Sequence, residues 1–290
     1  MPTTVVSDTT YNSLYLKARN ALRAEMLASP ELEARLIVEK ASNKTRAEYI
    51  RDGQLIAPQE VAGAVQGYLG RRLSGEPVAY ITGEWEFYSL PLYVNSDTLI
   101  PRADSEVLVD CAIRLLRKFK EPRVLDLCAG SGCLGIAVSK NVTDTELTLA
   151  DISRGALEMC ERNAARNGVT ATLAECDALE NPPKNHEYDA ILCNPPYITT
   201  EELAALDSSV RDFEPSLALD GGGDGLKFYR AVAALWKTVL APGGYMLFEC
   251  GAGQAAAVCD ILEAEGFSEI TTADDTAGIT RVVTGRKITT

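Results

Sequence analysis

The feature that most constrains this chain is an alternation of short apolar runs with longer amphipathic segments, which begins after Glu121-Pro122. Short aliphatic runs predict strands, whereas apolar residues spaced three and four apart predict helices. We expect strands at Arg123–Leu127, Glu146–Asp151, Thr170–Cys176, Tyr188–Cys193, Tyr245–Cys250, Glu269–Ala273 and Ile279–Thr284. We expect helices at Cys133–Lys140, Ser153–Arg166, Gly225–Leu240 and Gln254–Glu265. The alternation predicts an α/β fold with a doubly wound, mostly parallel sheet. No helix separates the last two strands, so the last strand should be antiparallel.

The residues before this alternation predict two further regions. Residues 1–75 have the apolar spacing of helices and predict a small helical domain, whose first helix spans Tyr11–Ala28. Residues 76–102 are aromatic and β-branched and are broken by glycine and proline, which predicts a β-hairpin linker. The α/β domain then occupies residues 103–290 and opens with a helix near Ala103–Lys118.

A glycine turn joins the first predicted strand of the α/β domain to its helix, in the sequence VLDLCAGSG at 124–132. In open α/β sheets, ligands bind beyond the carboxyl ends of the strands, where glycines allow close approach and a helix start offers free N–H groups. The spacing differs from G-x-G-x-x-G, so a tight connection without a ligand stays open as an alternative. The candidate cofactor-binding residues of this turn are Cys128, Ala129, Gly130, Ser131 and Gly132.

Acidic residues end the next two predicted strands. Asp151 lies about twenty residues after the glycine turn, where a carboxylate can accept hydrogen bonds from both hydroxyls of a ribose. Its alternative role is the cap of the following helix. Asp177 could accept from an adenine amine, with Ala178 packed nearby, and Ile152 follows Asp151 in the same turn. Together these residues predict an adenosine-containing cofactor.

The tripeptide Asn-Pro-Pro occurs twice, at 181–183 and at 194–196. The first copy precedes a predicted strand in a polar loop, and we interpret it as a turn. The second, Asn194-Pro195-Pro196-Tyr197, follows that strand at the carboxyl edge of the sheet. Rigid prolines can fix the backbone so that the Asn194 side-chain oxygen and the Pro195 carbonyl accept both hydrogens of one –NH₂ group. Tyr197 adds a flat aromatic face, so we expect catalysis at Asn194, Pro195 and Tyr197, with Pro196 also binding substrate.

These motifs resemble the peptide chain release factor glutamine methyltransferases, a family within the class I, Rossmann-like methyltransferases. The resemblance extends over residues 12–287 and is carried by the following segments: GEPVAYITGEWEFYSLPLYV at 75–94, TLIPRADSEVLVD at 98–110, NPPYI at 194–198, RDFEPSLALDGGGDGLKFYR at 211–230 and GGYMLFECGAGQ at 243–254. It implies methyl transfer from S-adenosyl-L-methionine, which leaves S-adenosyl-L-homocysteine. The acceptor would be the side-chain amide nitrogen of the glutamine in the Gly-Gly-Gln motif of release factors. Asn194 would then also contact the cofactor, and the helical residues 1–75 would dock the release factor or cap the site.

Three residues depart from the family pattern. Ala103 stands where the family usually has proline, Ala129 where threonine is common, and Thr280 where aspartate is frequent. Backbone contacts to a cofactor survive such changes. The three departures therefore put the affinity for the cofactor in question, but not the resemblance to the family.

Charge and composition narrow the classes of partner. Residues 76–290 carry a net charge of −15 and residues 1–75 carry +2, so we expect no DNA partner, because DNA affinity depends on neutralising phosphates. Eight cysteines form no C-x-x-C pair and His186 is the only histidine, so we expect no metal site. Without a long apolar run or a secretory start, we expect no membrane partner and a cytoplasmic monomer.

Three other functions remain open at this point. A glutamine methyltransferase that acts on a ribosomal protein would share the fold and the NPPY motif, although the sequence PRADSE favours the release-factor branch. An adenine methyltransferase would hold a flipped base in the same pocket. A non-catalytic binding module is the alternative from a different class, and the loss of Asn194 or Asp151 would have favoured it.

Overall fold

The computed structural model describes residues 9–183 and 187–288, in two compact units that divide after Gly83. His186 and the first eight residues lie outside the described part. Eleven α-helices are described there: α1 Tyr11–Ala24, α2 Pro30–Ser42, α3 Arg46–Asp52, α4 Gln59–Leu73, α5 Val78–Thr82, α6 Glu106–Leu116, α7 Cys133–Asn141, α8 Arg154–Arg166, α9 Ser208–Arg211, α10 Lys227–Leu235 and α11 Ala255–Ala264. Nine strands are described: β1 Glu84–Phe87, β2 Leu90–Tyr93, β3 Arg123–Leu127, β4 Glu146–Asp151, β5 Ala171–Glu175, β6 Tyr188–Cys193, β7 Leu240–Glu249, β8 Phe267–Asp274 and β9 Thr280–Lys287.

The first unit is helical, as predicted, and comprises α1 to α5. Its helices bury aliphatic side chains spaced three and four apart, among them Leu14, Ala18 and Leu22 of α1. The helix predicted over Tyr11–Ala28 ends at Ala24. The prediction also missed α3, whose start is fixed by a capping box between Thr45 and Glu48.

The predicted hairpin linker at 76–102 is shorter than expected. Residues 84–93 form the hairpin β1–β2, but Val78–Thr82 is a one-turn helix. Its β-branched residues favour a strand locally. Pro77 precedes the helix and Gly83 ends it at φ 72°, a left-handed conformation suited to glycine. Burial of Val78 and Ile81 stabilises the turn and overrides their strand preference.

The second unit contains a seven-stranded sheet in the order β5-β4-β3-β6-β7-β9-β8. Pairings from β5 to β7 are parallel, and β9 is antiparallel to both β7 and β8, which confirms the predicted mostly parallel sheet with an antiparallel last strand. The helices α6, α7 and α8 bury their apolar faces on one side of the sheet, and α10 and α11 cover the other.

Strands β3, β4 and β6 match their predicted bounds to the residue, and most other elements of this unit begin or end within three residues of the prediction. Two predictions near Pro242 were wrong. The helix expected over Gly225–Leu240 is α10 followed by a 3₁₀ turn at Trp236–Val239, and β7 begins at Leu240 where the prediction had Tyr245. Pro242 is tolerated because the pairing of β6 with β7 is irregular between Tyr188 and Ala190.

Strand order sets the position of a ligand crevice. The chain runs outward from β3 through β4 to β5 and then returns to place β6 on the other side of β3. In doubly wound sheets, a crevice opens beyond the carboxyl ends of the strands where the order reverses, which here is between β3 and β6. No helix within residues 9–183 and 187–288 is long and apolar enough to span a membrane.

Candidate active site

A cavity of about 570 Å³ opens beyond the carboxyl ends of β3, β4 and β6. This volume lies within the range of roughly 300–1,000 Å³ that is typical of small-molecule sites. The structure brings most of the predicted site residues to its wall: Cys128, Ala129, Gly130, Ser131, Asp151, Ile152, Asp177, Ala178, Asn194 and Pro196. Gly132, Pro195 and Tyr197 lie outside its lining.

The glycine turn follows β3 in an unusual backbone conformation. Cys128, Gly130 and Gly132 have φ of 62°, 54° and 77°, in the left-handed region that disfavours side chains. A Cβ atom on Gly132 would lie 3.1 Å from Ile136 Cδ1 and 3.2 Å from Leu149 Cδ1. Gly132 is therefore favoured by its positive φ and by tight packing beneath the turn, whereas a Cβ atom on Gly130 would meet no other atom within 4 Å.

Asp151 ties the glycine turn to the end of β4. Its Oδ2 accepts from Gly130 N at 2.9 Å, and its Oδ1 accepts from Ser153 N at 2.9 Å. Burial raises the pKa of Asp151, and these two backbone N–H groups oppose that shift. The helix cap is Ser153, whose hydroxyl accepts from Ala156 N, so Asp151 is not the cap of α8. A carboxylate has about four lone-pair positions, so Asp151 can accept at least one further hydrogen bond.

The loop that follows β5 contributes Asp177 and Ala178 to the cavity wall. Asp177 Oδ1 accepts from Leu179 N at 2.8 Å, which fixes the carboxylate in a local turn. Ala178 is buried, and its carbonyl accepts from the indole N–H of buried Trp236 at 3.0 Å. This hydrogen bond fixes the loop at Ala178 to the segment that directly follows α10.

The second Asn-Pro-Pro copy leaves the sheet beside the glycine turn. Leu127 pairs with Cys193 in the parallel ladder, so Cys128 and Asn194 begin their loops at the same edge on adjacent strands. Asn194 is half-buried, and its Nδ2 lies 3.5 Å from Ser105 Oγ. The first copy, at 181–183, precedes β6 at the other end of that strand and lies outside the cavity lining.

A glycine loop at 221–225 holds the NPPY segment in place. Gly221 N donates to Ile198 O at 2.8 Å, and a Cβ atom on Gly221 would lie 2.7 Å from Tyr197 Cα. Gly225 has φ 70°, and a Cβ atom there would clash with Tyr197 O. Only glycine allows this approach, so the GGGDG sequence is a structural support of the motif.

Gln254 supports the same segment from the other side. Its Nε2 donates to Tyr197 O at 2.9 Å, and its Oε1 accepts from Gly251 N at 2.9 Å. The ring of Tyr197 packs beside Gly251 and the apolar cluster under α10 and α11. Burial raises the pKa of Tyr197 to about 12, so its hydroxyl is neutral at ordinary pH.

Comparison with known proteins identifies the family. A model of the methyltransferase small domain matches residues 104–220, and one of the PrmC N-terminal domain matches residues 13–83. The release factor glutamine methyltransferase of Geobacter sulfurreducens is 39% identical, over 92% of this chain and 93% of that protein. That of Agrobacterium fabrum is 34% identical, over 97% of this chain and 98% of that protein. The chain belongs to the release factor glutamine methyltransferase family.

Its fold is the class I methyltransferase fold that the resemblance implied. The solved structure of the hMettl16 catalytic domain in complex with the MAT2A 3'UTR hairpin 6 aligns with a TM-score of 0.55. It covers 68% of this chain and 76% of that one at 14% sequence identity, so this likeness concerns the fold alone. The helical first unit and the α/β second unit both lie within the match to the curated relatives.

The sequence analysis missed Ser105, Glu214 and Glu249, and it considered Arg102 only as a contact of cofactor or substrate. Ser105 and Arg102 line the cavity, and Arg102 forms an ion pair with the buried Glu214, which also accepts from Ile100 N. Glu249 is buried behind Asn194 at the end of β7. The sequence did contain an indication for Glu249, which is the single acidic residue in the apolar run YMLFEC. Burial of a charged side chain is unfavourable unless it is paired, so its position in a buried strand indicates a specific role.

The three departures from the family pattern are accommodated locally. Ala103 begins a 3₁₀ turn at Ala103–Ser105. Ala129 N donates to Ala150 O at 3.0 Å, a backbone bond that does not depend on the side chain. Thr280 Oγ1 donates to Asp274 Oδ1 at 2.7 Å, which links the two strands β8 and β9.

Proposed function

We propose that this chain transfers a methyl group from S-adenosyl-L-methionine to a glutamine side-chain amide nitrogen in the Gly-Gly-Gln motif of peptide chain release factors. The observation that carries the proposal is the 39% identity to a release factor glutamine methyltransferase over 92% of the chain. The position of Asn194 on the cavity wall, beside the glycine turn, supports it.

The cavity suits the cofactor in size and in the chemistry of its wall. The turn from Cys128 to Ser131 would hold the methionine part, and Asp151 with Ile152 would hold the ribose. Asp177 and Ala178 would bind the adenine, the former as acceptor and the latter as an apolar contact. When bound, the sulfonium supplies an activated methyl group and a neutral thioether leaving group.

Asn194 and Pro195 would perform the key step on the substrate. An amide nitrogen is a weak nucleophile because its lone pair is delocalised into the carbonyl. The side-chain oxygen of Asn194 and the carbonyl of Pro195 would each accept one N–H of the glutamine amide. They would orient the nitrogen and stabilise positive charge on it while the N–C bond forms. The amide proton then leaves to water, because Asn194 is too weak a base to retain it.

The neighbouring residues of the motif would play smaller parts. Pro196 lines the cavity and would contact the substrate directly. The ring of Tyr197 lies outside the lining, so a flat contact with the substrate would require it to turn inward. We assign Tyr197 mainly to holding the motif through its carbonyl, which Gln254 binds.

The release factor is the partner that we propose, with the first unit as its docking surface and the enzyme as a cytoplasmic monomer. A ribosomal-protein glutamine is the second candidate substrate, since the same two acceptors would hold its amide. Adenine in nucleic acid is disfavoured by the net charge of −15 on residues 76–290, which repels phosphates.

The test is methyl transfer from labelled S-adenosyl-L-methionine to four acceptors side by side. The acceptors are an intact release factor, its Gln→Ala variant in the Gly-Gly-Gln motif, ribosomal proteins and DNA. We expect label on the intact release factor alone. Label that persists on the Gln→Ala variant, or that appears only on ribosomal protein or DNA, would reject the proposed substrate.

A further inference from the structure

Glu249 is a buried acidic residue that the methyl-transfer reaction described above does not use. It ends β7, and its exposure is 2%. Its Oε2 has no hydrogen-bond partner among residues 9–183 and 187–288. Burial of an unpaired carboxylate destabilises the folded protein by about several kcal/mol. Buried polar atoms without a partner are rare, so a structural or functional role for Glu249 is expected.

The groups around Glu249 indicate what this role is. Hydrogen bonds from the side chains of Ser105 and Asn194 stabilise its ionised form, and so does the charge of Arg281. Burial is the larger effect and raises the pKa of Glu249 to about 7, with the charge of Asp104 acting in the same direction. Asn194 Nδ2 also lies 3.5 Å from Ser105 Oγ. The nitrogen end of the Asn194 amide thus faces two acceptors, the hydroxyl of Ser105 and the carboxylate of Glu249.

The orientation of this amide matters because its two ends have opposite hydrogen-bonding character. The oxygen accepts, whereas the –NH₂ group donates. A glutamine –NH₂ group offers only donors to the site. An Asn194 amide turned by 180° would place donor against donor and could not bind the substrate nitrogen.

We propose that Glu249, together with Ser105, is a positioning residue that holds Asn194 Nδ2 and thereby keeps Asn194 Oδ1 directed at the substrate amide. The expected effect on turnover rests on the proposed function, whereas the orientation of the Asn194 amide does not depend on it. The sequence places Glu249 and Asn194 at the ends of the adjacent parallel strands β7 and β6, which is why the two side chains meet.

The charge state of Glu249 determines how well it performs this task. An ionised carboxylate only accepts hydrogen bonds, but a protonated one can donate to Asn194 Oδ1 and compete with the substrate. The other titratable groups that act on Glu249 or respond to its charge are Arg281, Asp104, Tyr197, Tyr229, Cys250 and Cys133. Burial raises the pKa of both tyrosines and both thiols, so these four groups stay neutral near pH 7. Turnover should therefore decline as pH falls through about 7.

The kinetic test compares Glu249→Gln and Ser105→Ala with the parent between pH 5.5 and 8.5. For Glu249→Gln we expect kcat to fall about tenfold to a hundredfold at pH 8, as for other partners that orient a functional group. The KM for S-adenosyl-L-methionine should stay within about twofold, and the decline of kcat below pH 7 should disappear. Asp126→Asn is the matched control, because it also replaces a fully buried carboxyl group that has an unpaired oxygen by an amide, but it should keep that decline.

A second measurement does not depend on substrate or turnover. In protein labelled with ¹⁵N in asparagine side chains, the Asn194 –NH₂ signal, assigned by its loss in Asn194→Ala, should shift with a midpoint near pH 7. The shift should vanish in Glu249→Gln. A titrating signal without methylation of the release factor would reject the proposed substrate and support the positioning role. Unchanged kcat in Glu249→Gln, or an Asn194 signal that does not titrate in the parent, would overturn the role of Glu249.

Discussion

Asn194 is the residue on which the chemistry depends most. The variant Asn194→Ala removes one of the two acceptors that would orient the substrate amide, so kcat should fall by about 10²–10³, as when one preorganised hydrogen-bonding group is lost. Affinity for S-adenosyl-L-homocysteine, measured by calorimetry, should change by no more than a few-fold. An activity within a few-fold of the parent would remove Asn194 from the catalytic role.

Asp151 should act on cofactor affinity. The variant Asp151→Asn replaces one acceptor oxygen by an –NH₂ group that would face the N–H of Gly130 or Ser153. Loss of a charged hydrogen bond costs about 1.5–3 kcal/mol, so the Kd for S-adenosyl-L-homocysteine should rise by roughly 10-fold to 100-fold. The kcat at saturating cofactor should be nearly unchanged. An unaltered Kd would exclude Asp151 from binding the ribose.

Asp126 should make stability depend on pH. It is fully buried on β3, and burial raises its pKa to about 8, against one opposing hydrogen bond from Gly135 N. The folded state thus holds this proton more tightly than the unfolded state, whose carboxyl titrates near its usual value. The contribution of Asp126 to the free energy of unfolding is fully present below about pH 4 and is lost as pH rises through about 8.

The variant Asp126→Asn removes this dependence. The Tm of Asp126→Asn relative to the parent should therefore increase from pH 5 and level off above about pH 8, as measured by calorimetric scans at several pH values. A Tm difference that stays constant with pH would show that the Asp126 carboxyl is not protonated in the folded state.

At the scale of elements, the glycine loop at 221–225 determines whether the NPPY segment keeps its place. Gly225→Ala would force a side chain into φ 70° and into contact with Tyr197 O, which should lower the free energy of unfolding by about 2–4 kcal/mol. Gly223→Ala is the matched control in the same loop, because a Cβ atom there meets nothing within 4 Å. It should change stability by no more than about 0.5 kcal/mol. Equal denaturation midpoints for the two variants would contradict this view of the loop.

The elements themselves were largely predictable from sequence. Strands β3, β4 and β6 are short segments rich in aliphatic residues, all of which are buried, and such segments have few alternatives in an α/β chain. The misses occurred where tertiary packing overrides local preference. Val78–Thr82 became a helix because its apolar side chains are buried in the first unit, and β7 starts early because an irregular pairing tolerates Pro242.

The candidate site was predictable in part, for a similar reason. Residues that directly follow strands, such as Gly130, Asp151 and Asn194, could be placed at the sheet edge from topology alone. Side-chain direction could not be predicted in this way. Tyr197 shares the motif with Asn194 but packs outside the cavity lining, and Glu249 reaches Asn194 only because β7 lies next to β6.

At the scale of the whole molecule, the first unit offers an apolar surface that the catalytic reaction does not require. Ile50, Leu55 and Ile56 are 68%, 59% and 57% exposed and lie close in sequence around the end of α3. If this unit docks the release factor, Ile50→Ser with Ile56→Ser should raise the KM for the release factor about fivefold or more, equivalent to roughly 1 kcal/mol.

The KM for S-adenosyl-L-methionine should not change in that variant. Met26→Ser is the control, because Met26 is an apolar side chain that is 90% exposed but lies away from this surface. Met26 follows the C-terminal end of α1, whereas Leu55 lies at the N-terminal end, where its carbonyl accepts from Tyr11 N. An unchanged KM for the release factor in the double variant would place the docking surface elsewhere.

The central claim is that the chain methylates the glutamine amide of the Gly-Gly-Gln motif through Asn194. The most direct measurement is tandem mass spectrometry of the Gly-Gly-Gln peptide after incubation of release factor and S-adenosyl-L-methionine with the parent or with Asn194→Ala. We predict one methyl group on the glutamine side-chain nitrogen with the parent and almost none with the variant. A methyl group on any other residue, or equal methylation by both proteins, would contradict the claim.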